Sequence, residues 1–205
     1  PSNMRLARAW SKYLYMRENG LPLRFGDICR LAKADSVNSP KNVTYVLFGD
    51  PALRLMTPLE EINTLKINGN DLHEEVMLHA MSMVNIEGEI RTANGNADRA
   101  FNGEVWVKLY DKKSRFTTLG QEDASVHSYT FYNNVLYRGR ATVTNGKFNI
   151  SFQVPSDINM SYGTSRIAYY AYDSIRQTDA MGVFEGFSLG GIDPAMVHDN
   201  EGPQI

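Results

Sequence analysis

The chain lacks the materials of several chemistries. A single cysteine, Cys29, in 205 residues excludes an internal disulfide framework and any metal site built on several thiolates. The four histidines, His73, His79, His127 and His198, lie far apart, with neither HExxH nor close HxH spacing. A zinc site would therefore have to be assembled by folding alone, and surface or edge-strand histidine is the simpler reading. No run of about 18 apolar residues occurs, which excludes a membrane-spanning helix. No charged segment followed by an apolar stretch marks a secretion signal, and the first residue is Pro1, not Met. The abrupt start, and an end at Glu201-Gly202-Pro203-Gln204-Ile205 that reads as a turn entering another strand, give the expectation of a piece of a longer protein.

What is present suits a folded chain of two parts. An apolar content of 42% is enough to bury a core of ordinary size. Residues 1–56 hold nine Lys or Arg against four Asp or Glu, whereas 57–205 hold twelve against nineteen. This asymmetry places a boundary near Thr57-Pro58. The basic charges of the first part are spread through an amphipathic pattern and are not clustered, so no nucleic-acid partner is expected.

In the first part the period is helical. Leu6, Trp10, Tyr13 and Leu14 share one face, with Arg5, Arg8 and Lys12 largely off it. This helix is expected to stop near Asn19-Gly20, with Pro22 just beyond. A second helix is predicted over Phe25 to Lys33, striped by Ile28, Leu31 and Ala32. Val43 to Phe48 reads as a short buried strand, with a third helix as the alternative, and is stopped by Gly49, Asp50 and Pro51, three turn-forming residues. So small a segment buries too little surface to stand alone and should pack on something.

After Pro58 the period becomes two. Phe148, Ile150, Phe152 and Val154 alternate with Asn149, Ser151 and Gln153, as in a strand with one wet face. Ala141 and Val143 with the turn Asn145-Gly146 supply the strongest hairpin signal in the chain. Val105, Val107 and Leu109 give another strand, as do Ile167, Tyr169 and Ala171. Weaker candidates lie at Thr64 to Ile67, Met81 to Ile90, Tyr129 to Tyr137 and Met181 to Leu189. Seven or eight short strands, with Asn68-Gly69, Asn94-Gly95 and Asn102-Gly103 between them and no βαβ alternation, predict a mainly β chain built as an antiparallel sandwich.

Candidate chemistry is sparse. Cys29, beside Ile28 and Arg30 on a predicted helix, reads as a small buried side chain; a nucleophile would need an adjacent base. Asp193, Asp199 and Glu201 with Asn200 offer oxygens but not the EF-hand spacing, and read as solvated linker. Gly182, Gly186 and Gly190-Gly191 lack the strand-to-helix setting of a phosphate cradle, and bulges or strand ends explain them more simply. Tyr169, Tyr170 and Tyr172, together with Tyr129, Tyr132 and Tyr137, are the candidate binding residues for a sugar or a peptide. The plainer alternative is ordinary strand tyrosine in a structural spacer. No cofactor is implied.

Two groups of residues carry a resemblance. Asn42-Val43-Thr44-Tyr45-Val46-Leu47-Phe48-Gly49-Asp50-Pro51-Ala52-Leu53-Arg54-Leu55 resembles the closing segment of the gingipain-like cysteine peptidase domain. An ordered series further on is similar to the region that follows this domain in the sortases of the type IX secretion system. It runs through Phe101-Asn102-Gly103, Tyr110-Asp111-Lys112, Arg138-Gly139-Arg140-Ala141, Val143-Thr144-Asn145-Gly146-Lys147-Phe148, Val154-Pro155-Ser156-Asp157-Ile158 and Gly190-Gly191.

The resemblance implies a caspase-like α/β peptidase domain followed by immunoglobulin-like β domains, in a surface enzyme of Bacteroidetes associated with the outer membrane. Such an enzyme removes the C-terminal sorting domain of secreted cargo and attaches the cargo to lipopolysaccharide. Implied partners are the upstream peptidase domain of the same protein, the cargo and other secretion components. The family's catalytic Cys and His precede the Gly-Asp-Pro segment, so no catalytic role passes to Cys29, and Asp50 is expected to act as a turn cap. Residues 1–56 are then the end of the peptidase domain, 57–192 a β-sandwich and 193–205 a linker toward a further β domain. The piece itself is expected to be a non-catalytic scaffold.

Overall fold

The computed structural model describes residues 2–36, 44–72, 76–121 and 125–193. Val43, His73, His198, Asp199, Asn200, Glu201 and the segment 194–205 lie outside the described residues. The chain divides into two compact units, Pro1–Leu59 and Glu60–Ile205.

The first unit opens with helix α1, Ser2–Leu14. Its Ala9 and Tyr13 are buried with Leu23, Ile28 and Ala32, and Leu6, Trp10 and Leu14 pack against them. The helix ends at Leu14, earlier than expected. Asn19 and Gly20, with φ of 52° and 78°, instead form the turn of a minimal hairpin between β1, Arg17–Glu18, and β2, Leu21–Pro22. Positive φ at two successive positions is the geometry that matches strand twist, and Asn and Gly tolerate it best.

Helix α2, Phe25–Asp35, lies where the sequence predicts it. No side chain caps its start at Arg24. The carbonyls of Leu53 and Pro51 do so, accepting from the N–H groups of Phe25 (2.8 Å) and Gly26 (2.9 Å), donors that a helix cannot satisfy internally. Gly26 permits this approach, since a Cβ there would lie 2.8 Å from that of Pro51. The Asp50 carboxylate accepts from the Ala52 N–H at 2.8 Å, the turn-capping role expected of it.

Thr44–Phe48, by contrast, forms no strand. Val46 and Phe48 are 74% and 99% exposed. An apolar run becomes a strand only with a ladder partner, and among the described residues 45–48 joins no ladder.

The second unit is a β-sandwich. Its main sheet runs β10-β7-β13-β14-β3-β6-β11. In that order the strands are Val135–Val143, Gly103–Tyr110, Arg166–Asp173, Thr178–Phe184, Glu60–Ile67, Met83–Arg91 and Lys147–Gln153. A short β4, Asn70–Asp71, folds back on β3 across Asn68-Gly69. A three-stranded sheet, β12-β15-β5 (Gly163–Thr164, Phe187–Ile192, Val76–Ala80), shares its core. A separate ribbon joins β8, Ser114–Thr117, to β9, Ser128–Phe131.

The alternation of the sequence places the core. Val105, Val107 and Leu109 of β7, Ile167 and Ala171 of β13, and Val84, Ile86 and Ile90 of β6 are fully buried, and each Val, Leu and Ile contributes about 1.5–3 kcal/mol through lost apolar surface.

Several expectations are adjusted by tertiary pairing. Most ladders are antiparallel, but β14 pairs β3 and β15 pairs β5 in parallel. Asn145 and Gly146 take φ of 49° and 74° in the tight turn predicted for them, closed by Thr144 and Lys147. The flanking strands then diverge, β10 to β7 and β11 to β6, so they end the main sheet at opposite sides. The span Tyr129 to Tyr137 is broken into β9 and β10, and Met181 to Leu189 into β14 and β15, which belong to different sheets. Asn102-Gly103 is no turn: Gly103 begins β7, where a Cβ would sit 2.1 Å from the Tyr172 carbonyl oxygen. Gly190-Gly191 forms a bulge in β15, with Gly191 at φ 65°, as expected of those glycines.

Candidate binding face

The tyrosines do not share one surface. Tyr169 faces the core at 4% exposure, its hydroxyl 2.8 Å from Thr64 Oγ1, and burial holds its phenol above the usual range. Period-two alternation sends Tyr170 and Tyr172 to the outer face. Tyr137 stacks on Phe152 with ring centroids 4.0 Å apart, and Tyr129 stacks with Phe116 and Phe131 on the ribbon. The tyrosine set of the sequence reading therefore contributes Tyr170, Tyr172 and Tyr132 to the outer side of the sandwich.

Their neighbours come from β7. With Val105, Val107 and Leu109 inward, Trp106, Lys108 and Tyr110 must point outward. Register sets Trp106 between Arg140 of β10 and Tyr170 of β13, and Lys108 between Arg138 and Ala168. Trp106 and Tyr170 are 39% and 43% exposed, with rings 5.8 Å apart and tilted by 35°. A hollow of about 410 Å³ opens between Trp106, Lys108, Tyr110, Ala168 and Tyr170. A second, of about 380 Å³, adjoins it through Tyr110 and Ala168 and is walled by Lys113, Phe131, Tyr132 and Arg166.

In the second hollow Tyr132 lies beneath two cations, Arg166 at 4.3 Å and Lys113 at 5.0 Å from the ring centroid. Arg166 Nε also donates to Glu185 Oε1 at 2.6 Å. Partial burial, then the Glu185 carboxylate, raise the Tyr132 phenol. Tyr170 is likewise raised by desolvation and by Asp179, to which its hydroxyl donates at 3.3 Å.

A carboxylate cluster lies elsewhere in this unit. Arg176 Nη1 donates to Asp98 Oδ2 at 2.7 Å and its Nη2 to Glu60 Oε1 at 3.4 Å. Asp173, buried, accepts from the N–H groups of Asn102, Ile175 and Arg176 at 3.0–3.1 Å. Glu60 Oε2 is buried; burial, then a shared hydrogen bond with Asp98, push the Glu60 carboxyl up to about 7. For Asp98 burial opposes ionisation, but the Arg176 guanidinium and the Ala100 N–H outweigh it and hold the group low. The guanidinium and the backbone donors make this a structural cluster. Among the described residues no three His, Cys, Asp or Glu are arranged to hold a metal ion.

The remaining polar candidates have structural surroundings. His79 Nδ1 lies 2.9 Å from the Gly190 carbonyl oxygen and edge-on to Tyr162, and His127 is exposed. Cys29 is half-buried on α2, and residues 1–59 contain no histidine, so its own unit supplies no imidazole base. No helix among the described residues is long and apolar enough to cross a membrane.

Most of the chain is similar to a section of PorU. Dimeric latent PorU from Porphyromonas gingivalis aligns with 94% of this chain at a TM-score of 0.63 and 29% sequence identity. The chain spans 19% of the PorU chain. The sporulation control protein Spo0M from Bacillus subtilis aligns with 64% of the chain, and with 49% of its own, at a TM-score of 0.36 and 11% identity, too distant to bear on function. No family model and no curated protein matches the chain. The similarity to PorU takes in the first unit as well as the sandwich, since 94% coverage cannot be reached by residues 60–205 alone. Cys29 and the outer-face aromatics thus both lie on a chain that is similar to part of a longer protein.

Proposed function

We propose that the chain is a non-catalytic part of a PorU-like sortase of the type IX secretion system, acting at the cell surface in association with the outer membrane. The first unit is the closing segment of a gingipain-like peptidase domain, and the sandwich is the scaffold that follows it. The reading is supported above all by the alignment with PorU through both units. The first unit adds a physical reason: its buried core is small, while Val46, Phe48, Leu53 and Met56 are exposed on the segment that caps α2. Apolar side chains so displayed gain by covering with further protein, here the remainder of the peptidase domain. Secretion cargo bearing a C-terminal sorting domain, and other secretion components, are the implied partners.

The chemistry of the parent is that of a Cys and His pair outside this chain: a thiolate attacks the scissile carbonyl, the imidazole moves the proton and hydrogen-bond donors hold the oxyanion. The test is cargo cleavage by the full-length protein. Phe48→Asp should lower the rate about 10-fold or more, a loss of about 1.4 kcal/mol in coupling between capping segment and peptidase domain. Cys29→Ala should leave the rate within about twofold. Cleavage that survives Phe48→Asp unchanged, or that disappears with Cys29→Ala, overturns the proposal.

A further inference from the structure

The paired hollows on the outer face of β7 and β13 have a chemistry that the scaffold reading does not use. Their walls supply flat aromatic surface, from Trp106, Tyr110, Tyr170 and Tyr132, and positive charge, from Lys108 and Lys113. The carboxylates nearest the walls are already engaged, Glu185 with Arg166 and Asp179 with the Tyr170 hydroxyl. Lys108 and Arg138 have no carboxylate within ion-pair distance among the described residues, and Arg140 is held only loosely, 3.6 Å from Glu104. Met181 and Val183 of β14 extend the apolar surface outward at 48% and 54% exposure.

This composition discriminates between ligand classes. A glycan presents hydroxyls that call for free carboxylate and amide partners, together with small apolar faces; Glu185 and Asp179 are already committed to Arg166 and Tyr170, and Met181 and Val183 gain little from a sugar. Exposed Trp, Tyr, Met and Arg are the residues that dominate protein interfaces. The unpaired cations select a partner of negative charge, both by attraction and by steering its approach.

We propose that the groove over Trp106, Lys108, Tyr110, Tyr170, Lys113 and Tyr132 is a docking site for an acidic peptide segment carrying aromatic side chains. An aromatic ring of the peptide packs against Trp106 and Tyr170, and a second sits beside Tyr110 and Tyr132. Carboxylates between them meet Lys108 and Lys113. The site is on the sandwich, so its occupancy does not depend on whether the chain belongs to a sortase.

The test uses the chain as it stands, immobilised at about 0.15 M salt, where exposed charges are screened beyond roughly 8 Å. Three probes are compared: a peptide of alternating Glu and Tyr, a polyglutamate of equal length and a sulfated dextran fragment. The Glu-Tyr peptide should bind saturably and more tightly than polyglutamate, and its affinity should fall about 10-fold in Trp106→Ala and in Lys108→Glu. Lys108 is an outward-facing position, so the second variant reports on binding with little burden on folding, and Ile175→Ser, away from the groove, should bind as the parent does. Equal binding of polyglutamate and the Glu-Tyr peptide would make the face a charge patch only and overturn the proposal. So would tighter, Trp106-dependent binding of the sulfated dextran, or binding of none of the three.

Discussion

Asp173→Ala is expected to lower the stability of the sandwich unit by about 3–4 kcal/mol, the largest effect foreseen for any single polar side chain here. Asp173 is 1% exposed, and its carboxylate accepts three backbone N–H groups, from Asn102, Ile175 and Arg176. Truncation strands all three donors in the interior. The Asn102 contact joins the start of β7 to the end of β13, so the damage reaches the centre of the main sheet. Asp173→Asn keeps one oxygen acceptor and should cost about half as much. Urea unfolding followed by Trp106 fluorescence, in a Trp10→Phe background, measures both; a loss below about 1 kcal/mol for Asp173→Ala would refute the assignment. The hydrogen bond from Asn102 is the main cause of the lowered carboxyl pKa of Asp173. The stability it contributes is therefore present above the ordinary value of 3.8 and lost as pH falls below it.

The second large effect is a dependence on pH with the opposite sign. Glu60 has an ordinary value of 4.5 and about 7 in the folded chain. Below 4.5 both states are protonated and its contribution to stability is complete. Between 4.5 and about 7 the folded state keeps a proton that the unfolded chain releases, so stability falls as pH rises; above that interval the loss is complete. Discounted for the solvent that still reaches the cluster, the loss is about 2 kcal/mol. Glu60→Gln removes the titration and can still donate to Asp98. It should exceed the parent in stability by about 2 kcal/mol at pH 8, with the difference vanishing below the ordinary value of 4.5. Urea titrations across this range decide the matter; equal slopes for parent and variant would contradict it.

Much of this architecture was legible in the sequence because local rules and tertiary demands agree there. Val105, Val107 and Leu109 alternate and are buried, Asn145-Gly146 makes its tight turn, and Asp50 caps its own turn. Period-two logic carried one step further identifies Trp106, Lys108 and Tyr110 as the outward partners of those valines and leucine, and so locates the binding face. The same logic separates Tyr169 from Tyr170 and Tyr172, which a count of tyrosines cannot do.

Other features depend on partners distant in the chain. The parallel pairs of β14 with β3 and β15 with β5 are set by which strands meet across the core, information that no local window holds. Asn19-Gly20 fits both a helix end and a hairpin turn, and the choice is made by Arg17 and Glu18 finding partners in Pro22 and Leu21. The apolar run ending at Phe48 reads as buried, since hydrophobicity signals a need for cover without saying which surface supplies it. Glycines at Gly103 and Gly182 look like turn or breaker residues. They are strand positions where a neighbouring carbonyl oxygen would lie 2.1 Å from any added Cβ.

On the proposed reading, this chain supports a reaction whose nucleophile lies elsewhere in the parent protein. The most direct measurement is covalent trapping. The full-length protein is treated with a thiol-directed peptidyl acyloxymethyl ketone, digested, and the modified cysteine identified by mass spectrometry. The account predicts labelling of a cysteine outside the present 205 residues, with labelling unaffected by Cys29→Ala. Labelling of Cys29 itself, abolished by that substitution, would contradict it.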